Sequence, residues 1–248
     1  GGAAASGGRG GAPAGPAEPA PPPKMTADQL SRRVHGMVEE YLDSGDLGEV
    51  EASLGEDGPK AESREALANA LVDGTVEQAL EASPAKRRKA SQLLAALHAK
   101  GWLSSEALSR AAGDQVEYVE DMAIDVPNIA GYLAELFAVP VATGALPLQF
   151  LAEKALEFKL HESSSVPALR LLGAVLCAAR DAKGAAAARE VLENSKVDLA
   201  SLAAPGDKDL PLAKVLAKHK LEWIDPAEGA AGAGGGGGGG GRGGVGHA

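Results

Sequence analysis

The chain has very little of several residue types, and each shortage excludes a class of protein. Its 248 residues include one cysteine, Cys177, which excludes an internal disulfide framework and a cysteine-rich zinc site. Aromatic residues make up only 3% of the chain, far fewer than a β-sandwich or β-barrel core uses. Acidic residues outnumber basic ones 34 to 24, which excludes a protein that binds nucleic acid mainly through a broad basic surface.

Sequence patterns of enzyme active sites are missing as well. The chain has no P-loop, no HExxH and no GxSxG pattern. Its five histidines are scattered, and none has metal-ligand spacing to another histidine or to Cys177. Cys177 lies in an apolar run and is predicted to pack in the core. We therefore predict that the protein is not an enzyme and uses no cofactor and no metal.

What the chain does have is helical composition and periodicity. Hydrophobic residues make up 45% of the chain, most of them leucine and alanine, which favour helix. Thr26 and Gln29 have capping-box spacing ahead of a helix that Gly45 ends, and Ser83 before Pro84 marks another helix start. About ten helices with short loops, one of them over residues 61–72, predict an all-α fold of stacked antiparallel helix pairs, an α-solenoid of the HEAT or armadillo type.

The two ends of the chain differ in composition from the middle. Residues 1–24 hold seven of the 33 glycines and six of the 15 prolines, and residues 227–248 hold 13 glycines. Such segments cannot bury enough apolar surface to offset the ordering entropy, so we predict disordered Gly/Pro-rich tails around a helical domain at residues 25–226. Single arginines among glycines at residues 8–11 and 241–244 are interpreted as linker, with a fragment of an RNA-binding segment as the alternative.

Neither a membrane span nor a secretion signal is evident. The longest wholly apolar run, residues 171–179, is too short to cross a bilayer, and residues 1–24 lack an apolar stretch. We therefore expect a cytoplasmic protein without a membrane partner. The basic run from Lys86 to Lys89 is predicted to form a solvent-exposed helix face, with a phosphate-contacting or localisation patch as the alternative.

The most informative segment is VEDMAIDVPN, residues 119–128. A helix is predicted to run from Ser104 to about Glu120 and so to end in the acidic residues. Pro127 is predicted to begin the next helix after Val126, which the proline biases out of the α region. Asp121 and Asp125 are therefore expected at a helix junction, close together and exposed. Two interpretations remain open on these residues: Asp125 interacts with the N-terminus of the following helix, or the pair faces arginines or backbone amides of a partner.

Residues 119–136, VEDMAIDVPNIAGYLAEL, resemble the signature of the MA3 domain. More closely, the chain resembles the MA3 region of the eukaryotic translation initiation factor 4 gamma family. Pro140, Gly144 and Leu146 continue this resemblance, and weaker similarity extends over residues 25–226. The resemblance implies stacked HEAT-like helix pairs, in agreement with the fold predicted from periodicity.

The resemblance also implies a partner and the residues that bind it. MA3 domains bind the DEAD-box RNA helicase known as initiation factor 4A, and Asp121 and Asp125 match the acidic pair that contacts this helicase. Pro127 matches the family proline and Asn128 follows it, so these four residues form the predicted helicase-binding site. Ala123 departs from the family pattern, which commonly has an acidic or larger residue at that position.

The implied function is that of a translation-initiation scaffold segment, which helps to assemble the cap-binding initiation complex on mRNA. One alternative is an inhibitor resembling programmed-cell-death protein four, which sequesters the same helicase, although that subfamily typically carries tandem MA3 domains. Another is an RNA-associated binding module that touches mRNA weakly through its Arg/Gly tails. The formal net charge of −11 on residues 25–226 argues against a large phosphate-binding footprint.

Overall fold

The computed structural model describes residues 23–162 and 164–224, which form helices joined by turns and contain no β-strand. The α-helices in chain order are α1 Ala27–Ser44, α2 Leu47–Asp57, α3 Arg64–Glu81, α4 Pro84–Ala99, α5 Ser105–Glu117, α6 Val119–Asp125, α7 Ile129–Ala142, α8 Leu148–Glu157, α9 Ala168–Lys183, α10 Ala185–Ser195 and α11 Leu212–Lys218. Short 3₁₀ helices lie at Gly58–Lys60, Leu199–Leu202, Pro205–Asp207 and Glu222–Ile224. The predicted all-α fold is confirmed. The predicted tails lie outside the described residues, apart from Pro23 and Lys24.

The helices pack in two rows around one continuous apolar core. Helices α1, α4, α7 and α9 form one row, each packing on the next, and α3, α5 and α8 form the other. The contact between α7 and α9 is the most extensive in the described chain. Leu93 of α4, Leu133 of α7 and Leu172 of α9 are fully buried along the first row. This is the stacked, HEAT-like arrangement of helices that the sequence predicted.

Local hydrogen bonds begin and end the helices where the sequence indicates. The Thr26 hydroxyl accepts from the Gln29 N–H at 3.3 Å, and Gln29 Oε1 accepts from the Thr26 N–H at 2.9 Å, which is the predicted capping box. Gly45 ends α1 with a φ of +79°, a left-handed conformation that glycine adopts without a Cβ penalty. Ser83 Oγ accepts from the Lys86 N–H at 3.4 Å and so caps α4.

Helix α3 is longer than predicted, because a glycine inside it serves packing and does not end the helix. The sequence predicted a helix over residues 61–72, whereas α3 continues to Glu81. A Cβ added at Gly74 would stand 3.1 Å from Val34 Cγ1 of α1, so the glycine allows the two helices to approach closely. The lower helix propensity of glycine is outweighed by this tertiary contact.

A buried serine of α4 hydrogen-bonds to α7 beside a proline in that helix. Pro140 has no N–H and disturbs the hydrogen-bond ladder of α7. The N–H of the preceding residue, Val139, donates to the hydroxyl of Ser91 on α4 at 3.0 Å. Ser91 is buried, so its hydroxyl satisfies a backbone group that water cannot reach.

The basic run at the start of α4 serves the fold, and the predicted exposed basic face is wrong for Arg87, which is 4% exposed. Lys89 Nζ donates to the carbonyls of Leu42 and Asp43 at 3.0 Å and 2.7 Å, and Lys86 forms an ion pair with Asp43. Cations suit this place because the last carbonyls of α1 carry the negative end of its helix dipole.

A buried carboxylate joins α1 to the turn after α2. Asp57 is 3% exposed, and its carboxylate accepts from Arg33 Nε at 2.9 Å and from Lys60 Nζ at 3.0 Å. Burial opposes ionisation of the Asp57 carboxyl, but the hydrogen bonds from Lys60 and Arg33 outweigh it, so the pKa lies below its usual value.

The last described segment covers the outer side of α9. Leu221 packs over Gly173, where an added Cβ would stand 3.1 Å from Leu221 Cδ1. Burial, reinforced by nearby positive charge, lowers the pKa of the neighbouring His219 imidazole. Cys177 donates from Sγ to the Lys220 carbonyl at 3.4 Å and is only half-buried against the core, so its predicted core packing is partial.

Candidate partner-binding site

The acidic segment forms a short helix that begins at a bend. Tyr118, with φ −95° and ψ 8°, separates α5 from α6, although the sequence predicted one helix from Ser104 to about Glu120. At the bend Val119 is fully buried, while Tyr118 is 55% exposed. Val119 lies at helical spacing from the buried residues Ala112 and Val116 of α5, so the apolar periodicity continues across the bend and does not reveal it.

A second bend ends this helix at Asp125. Val126 has φ −123° and ψ 84°, outside the α region, as predicted for a residue before proline. Pro127 and Asn128 form an exposed turn, and α7 begins at Ile129, so the proline lies two residues before the helix and does not start it. The two bends leave α6 as a seven-residue helix on the surface.

Asp121 and Asp125 lie one helical turn apart on the exposed face of α6, as predicted. Neither carboxylate forms a hydrogen bond or ion pair with another residue in residues 23–162 or 164–224. Asp125 does not cap α7 through a hydrogen bond, since α7 begins without a side-chain cap hydrogen bond. Both carboxylates are therefore free to meet a partner.

The turn that follows the acidic pair is held by its own backbone. The Asn128 carbonyl accepts from the N–H groups of Gly131 and Tyr132 at 2.9 Å and 3.2 Å. The Asn128 side chain lies against Gly131, where an added Cβ would stand 2.8 Å from both Asn128 Oδ1 and Nδ2. Gly131 therefore leaves the space that the Asn128 side chain occupies beside Pro127 at the surface.

Two exposed apolar side chains beside the acidic pair were not predicted from the sequence. Ile124 is 78% exposed and Tyr118 is 55% exposed. The three-residue steps from Tyr118 to Asp121 and from Asp121 to Ile124 are a signal that could have identified them, because residues three apart share a helix face. Glu120 is also exposed, and its Oε1 accepts from the Ser165 N–H at 3.0 Å.

A buried cation packs against α7, the helix that follows the acidic segment. Arg87 Nε of α4 donates to Glu135 Oε2 at 2.6 Å, and the guanidinium lies 3.7 Å from the centroid of the Tyr132 ring. Tyr132 and Glu135 lie in the first two turns of α7, so the contacts with Arg87 fix the helix that follows the acidic segment. The same guanidinium donates to the Ala82 carbonyl at the end of α3.

The described residues offer neither a membrane-spanning helix nor a metal cluster. No helix there is long and apolar enough to cross a membrane. Within the same residues, no group of three or more histidine, cysteine, aspartate or glutamate side chains is placed to hold a metal ion. The described residues thus form a stack of helices that carries an unpaired acidic pair on its surface.

Comparison with known proteins identifies a domain within the chain. Residues 30–147 match the model of the MA3 domain, a range that includes the acidic pair and the turn after it. The chain therefore contains an MA3 domain, which is a HEAT-like helical module for binding and not a catalytic domain.

The curated relatives are translation initiation factors, and their similarity is distant. The chain is 29% identical over 124 residues to eukaryotic translation initiation factor 4 gamma 1 of Oryctolagus cuniculus, a match that covers 50% of this chain. It is 28% identical over 127 residues to eukaryotic translation initiation factor 4 gamma 3 of Homo sapiens, which covers 51% of this chain. Each match spans only 8% of the length of the relative.

Proposed function

We propose that the chain binds the DEAD-box RNA helicase initiation factor 4A through Asp121, Asp125, Pro127 and Asn128, which we call the acidic surface. In this proposal the chain is a segment of a cytoplasmic translation-initiation scaffold that docks the helicase near mRNA and helps to assemble the cap-binding initiation complex. It acts by binding and catalyses nothing itself. The MA3 match and the distant similarity to the factor 4 gamma relatives support this proposal.

The observation that carries the proposal is that Asp121 and Asp125 are exposed and have no cation within the described chain. By contrast, the carboxylates of Asp57 and Glu135 are paired internally. Two like charges one turn apart destabilise an isolated helix by about 0.2–0.5 kcal/mol, which a cationic partner would relieve. Carboxylates in this arrangement suit the planar guanidinium of arginine, which donates two parallel hydrogen bonds.

The decisive experiment is calorimetric titration of the helicase with the chain and with its Asp125→Lys variant. A favourable charge contact would become repulsive, so binding should weaken by roughly 2–5 kcal/mol. The fold should survive because Asp125 is exposed and makes no internal contact that lysine would break. Circular dichroism of both proteins checks this directly.

A matched control is Glu39→Lys, which makes the same change of charge at an exposed position on α1, a helix that packs mainly on α2, α3 and α4. The control should bind the helicase like the parent. Normal binding by a folded Asp125→Lys variant, or an equal loss in the control, would contradict the assignment of the acidic surface.

The effect of the chain on RNA unwinding by the helicase distinguishes a scaffold from an inhibitor. Stimulation of RNA unwinding by the helicase on addition of the chain supports the scaffold role, and suppression supports the sequestering alternative. RNA binding by the chain alone with a steep salt dependence would instead favour a role for the Arg/Gly tails.

A further inference from the structure

Ile124 is the most exposed large hydrophobic residue in the described part of the chain. Its side chain is 78% exposed, against 55% for Tyr118, and Leu210 and Leu212 follow at 42% and 46%. An isoleucine of this exposure leaves most of its apolar area in contact with water, whose removal favours association. A single exposed apolar side chain is ordinary, so its position relative to charge decides whether it has a role.

Helix α6 holds Ile124 in a defined orientation. Val119 is fully buried, and Met122 and Ala123 are half-buried against the core, so one side of the helix is fixed to the body of the protein. Ile124 lies on the opposite side and follows Ala123 directly in the sequence. The side chain is therefore presented on an ordered element, and docking it would require little loss of backbone entropy.

Negative charge surrounds Ile124 on this outer side. Ile124 lies four residues after Glu120, three after Asp121 and next to Asp125, so helical geometry places all four side chains on the exposed part of α6. The sequence contains no lysine, arginine or histidine between Arg110 and Lys154. A partner surface complementary to this one has an apolar centre and a basic rim.

We infer that Ile124 is the apolar anchor of the acidic surface and enters an apolar pocket on the helicase, with arginine or lysine side chains at the pocket rim facing Asp121 and Asp125. This inference rests on the proposed function and adds to it a contact that charge alone does not supply. Interfaces commonly concentrate their affinity in a few desolvated apolar anchors, with surrounding polar groups that exclude water. The flanking carboxylates would orient the encounter and raise its rate.

The test compares Ile124→Ser, Ile124→Leu and the control Leu210→Ser in calorimetric titrations of the helicase at low and high salt. We expect Ile124→Ser to weaken binding by roughly tenfold or more. Ile124→Leu should bind within about threefold of the parent, because it keeps the apolar volume. Leu210→Ser removes an exposed leucine far along the chain from α6 and should bind like the parent.

Salt distinguishes an apolar anchor from an indirect effect on the charges. Salt screens exposed charges, so the loss caused by Asp125→Lys should shrink as salt is raised, whereas the loss caused by Ile124→Ser should persist. Thermal unfolding of Ile124→Ser should match that of the parent, because the side chain is exposed.

These experiments test the role of Ile124 separately from the role of the acidic pair. Parent-like binding by Ile124→Ser, together with loss of binding by Asp125→Lys, overturns this inference and leaves the proposed function standing. A loss in Ile124→Ser that disappears at high salt, or that comes with a lowered unfolding temperature, also overturns it. Failure of the parent chain to bind the helicase overturns the proposed function and this inference together.

Discussion

Replacing Arg87 with methionine should destabilise the protein by about 2–4 kcal/mol, because it leaves the Glu135 carboxylate without its main partner between α4 and α7. The Arg87 side chain is 5% exposed and that of Glu135 is 28% exposed. Breaking a fully buried ion pair costs about 3–5 kcal/mol, and the partial exposure of Glu135 reduces this penalty. Loss of the contact with the Tyr132 ring adds roughly 0.5–2 kcal/mol, while methionine keeps most of the apolar packing of the arginine stem.

Urea unfolding monitored by circular dichroism measures this change in the free energy of unfolding. The comparison requires that this free energy depends on urea concentration with the same slope in parent and variant. A double-mutant cycle with Glu135→Leu isolates the pair, because the double variant leaves no unpaired charge and should recover part of the loss. We expect an interaction energy of about 1–3 kcal/mol. Arg88→Met is a matched control, since Arg88 lies 3.8 Å from Glu135 but is 63% exposed.

Arg88→Met should lower the free energy of unfolding by less than about 1 kcal/mol, as is typical of exposed ion pairs. If Arg87→Met costs no more than Arg88→Met, or if the losses from Arg87→Met and Glu135→Leu simply add, the buried pair is not what holds α4 against α7. The reasoning from burial would then be refuted.

Four further predictions concern stability. Ser91→Ala should cost about 1–3 kcal/mol in urea unfolding, because the buried Val139 N–H would lose its acceptor. Asp57→Asn should lessen the decrease in the free energy of unfolding at acid pH. Because the pKa of Asp57 is lowered in the fold, its ionised carboxylate stabilises the fold above the unfolded pKa of about 3.9, and this contribution is lost as the pH falls through the folded pKa. The lowered pKa of His219 predicts a loss of stability as the pH falls below about 6.5, since the unfolded chain takes up the proton first; His219→Gln should remove this component of thermal unfolding curves. Deleting residues 148–248 should abolish cooperative unfolding, because α9 covers the apolar side of α7.

Specific results would contradict these predictions. An unchanged urea midpoint for Ser91→Ala would show that Val139 finds another acceptor. An equal loss of stability at acid pH in Asp57→Asn and the parent would show that the pKa of Asp57 does not contribute to the pH dependence of stability. An equal loss between pH 5 and 7 in His219→Gln and the parent would show the same for His219. A shortened chain ending at residue 147 that still unfolds cooperatively would show that the matched range folds without α9.

Features that depend on a few neighbouring residues were predictable from the sequence. The capping box at Thr26, the end of α1 at Gly45 and the non-helical conformation of Val126 each arise from contacts within about four residues. The acidic pair was also found in the sequence, because Asp121 and Asp125 have the spacing of one helical turn and match the MA3 signature. Their role as helicase contacts stays a prediction.

The rest was decided by contacts between residues far apart in the chain. Arg87 looked like part of an exposed basic run, but Glu135, 48 residues away, draws it into the helix stack. The predicted helix is broken at Tyr118, although the buried residues Val116 and Val119 keep helical spacing across the break, and Ile124 beyond it faces solvent. By itself the sequence determined where helices begin, what class of fold they form and where acidic charge accumulates. Only the tertiary structure decided which charges are neutralised inside and which stay free, because that depends on distances that local periodicity does not encode.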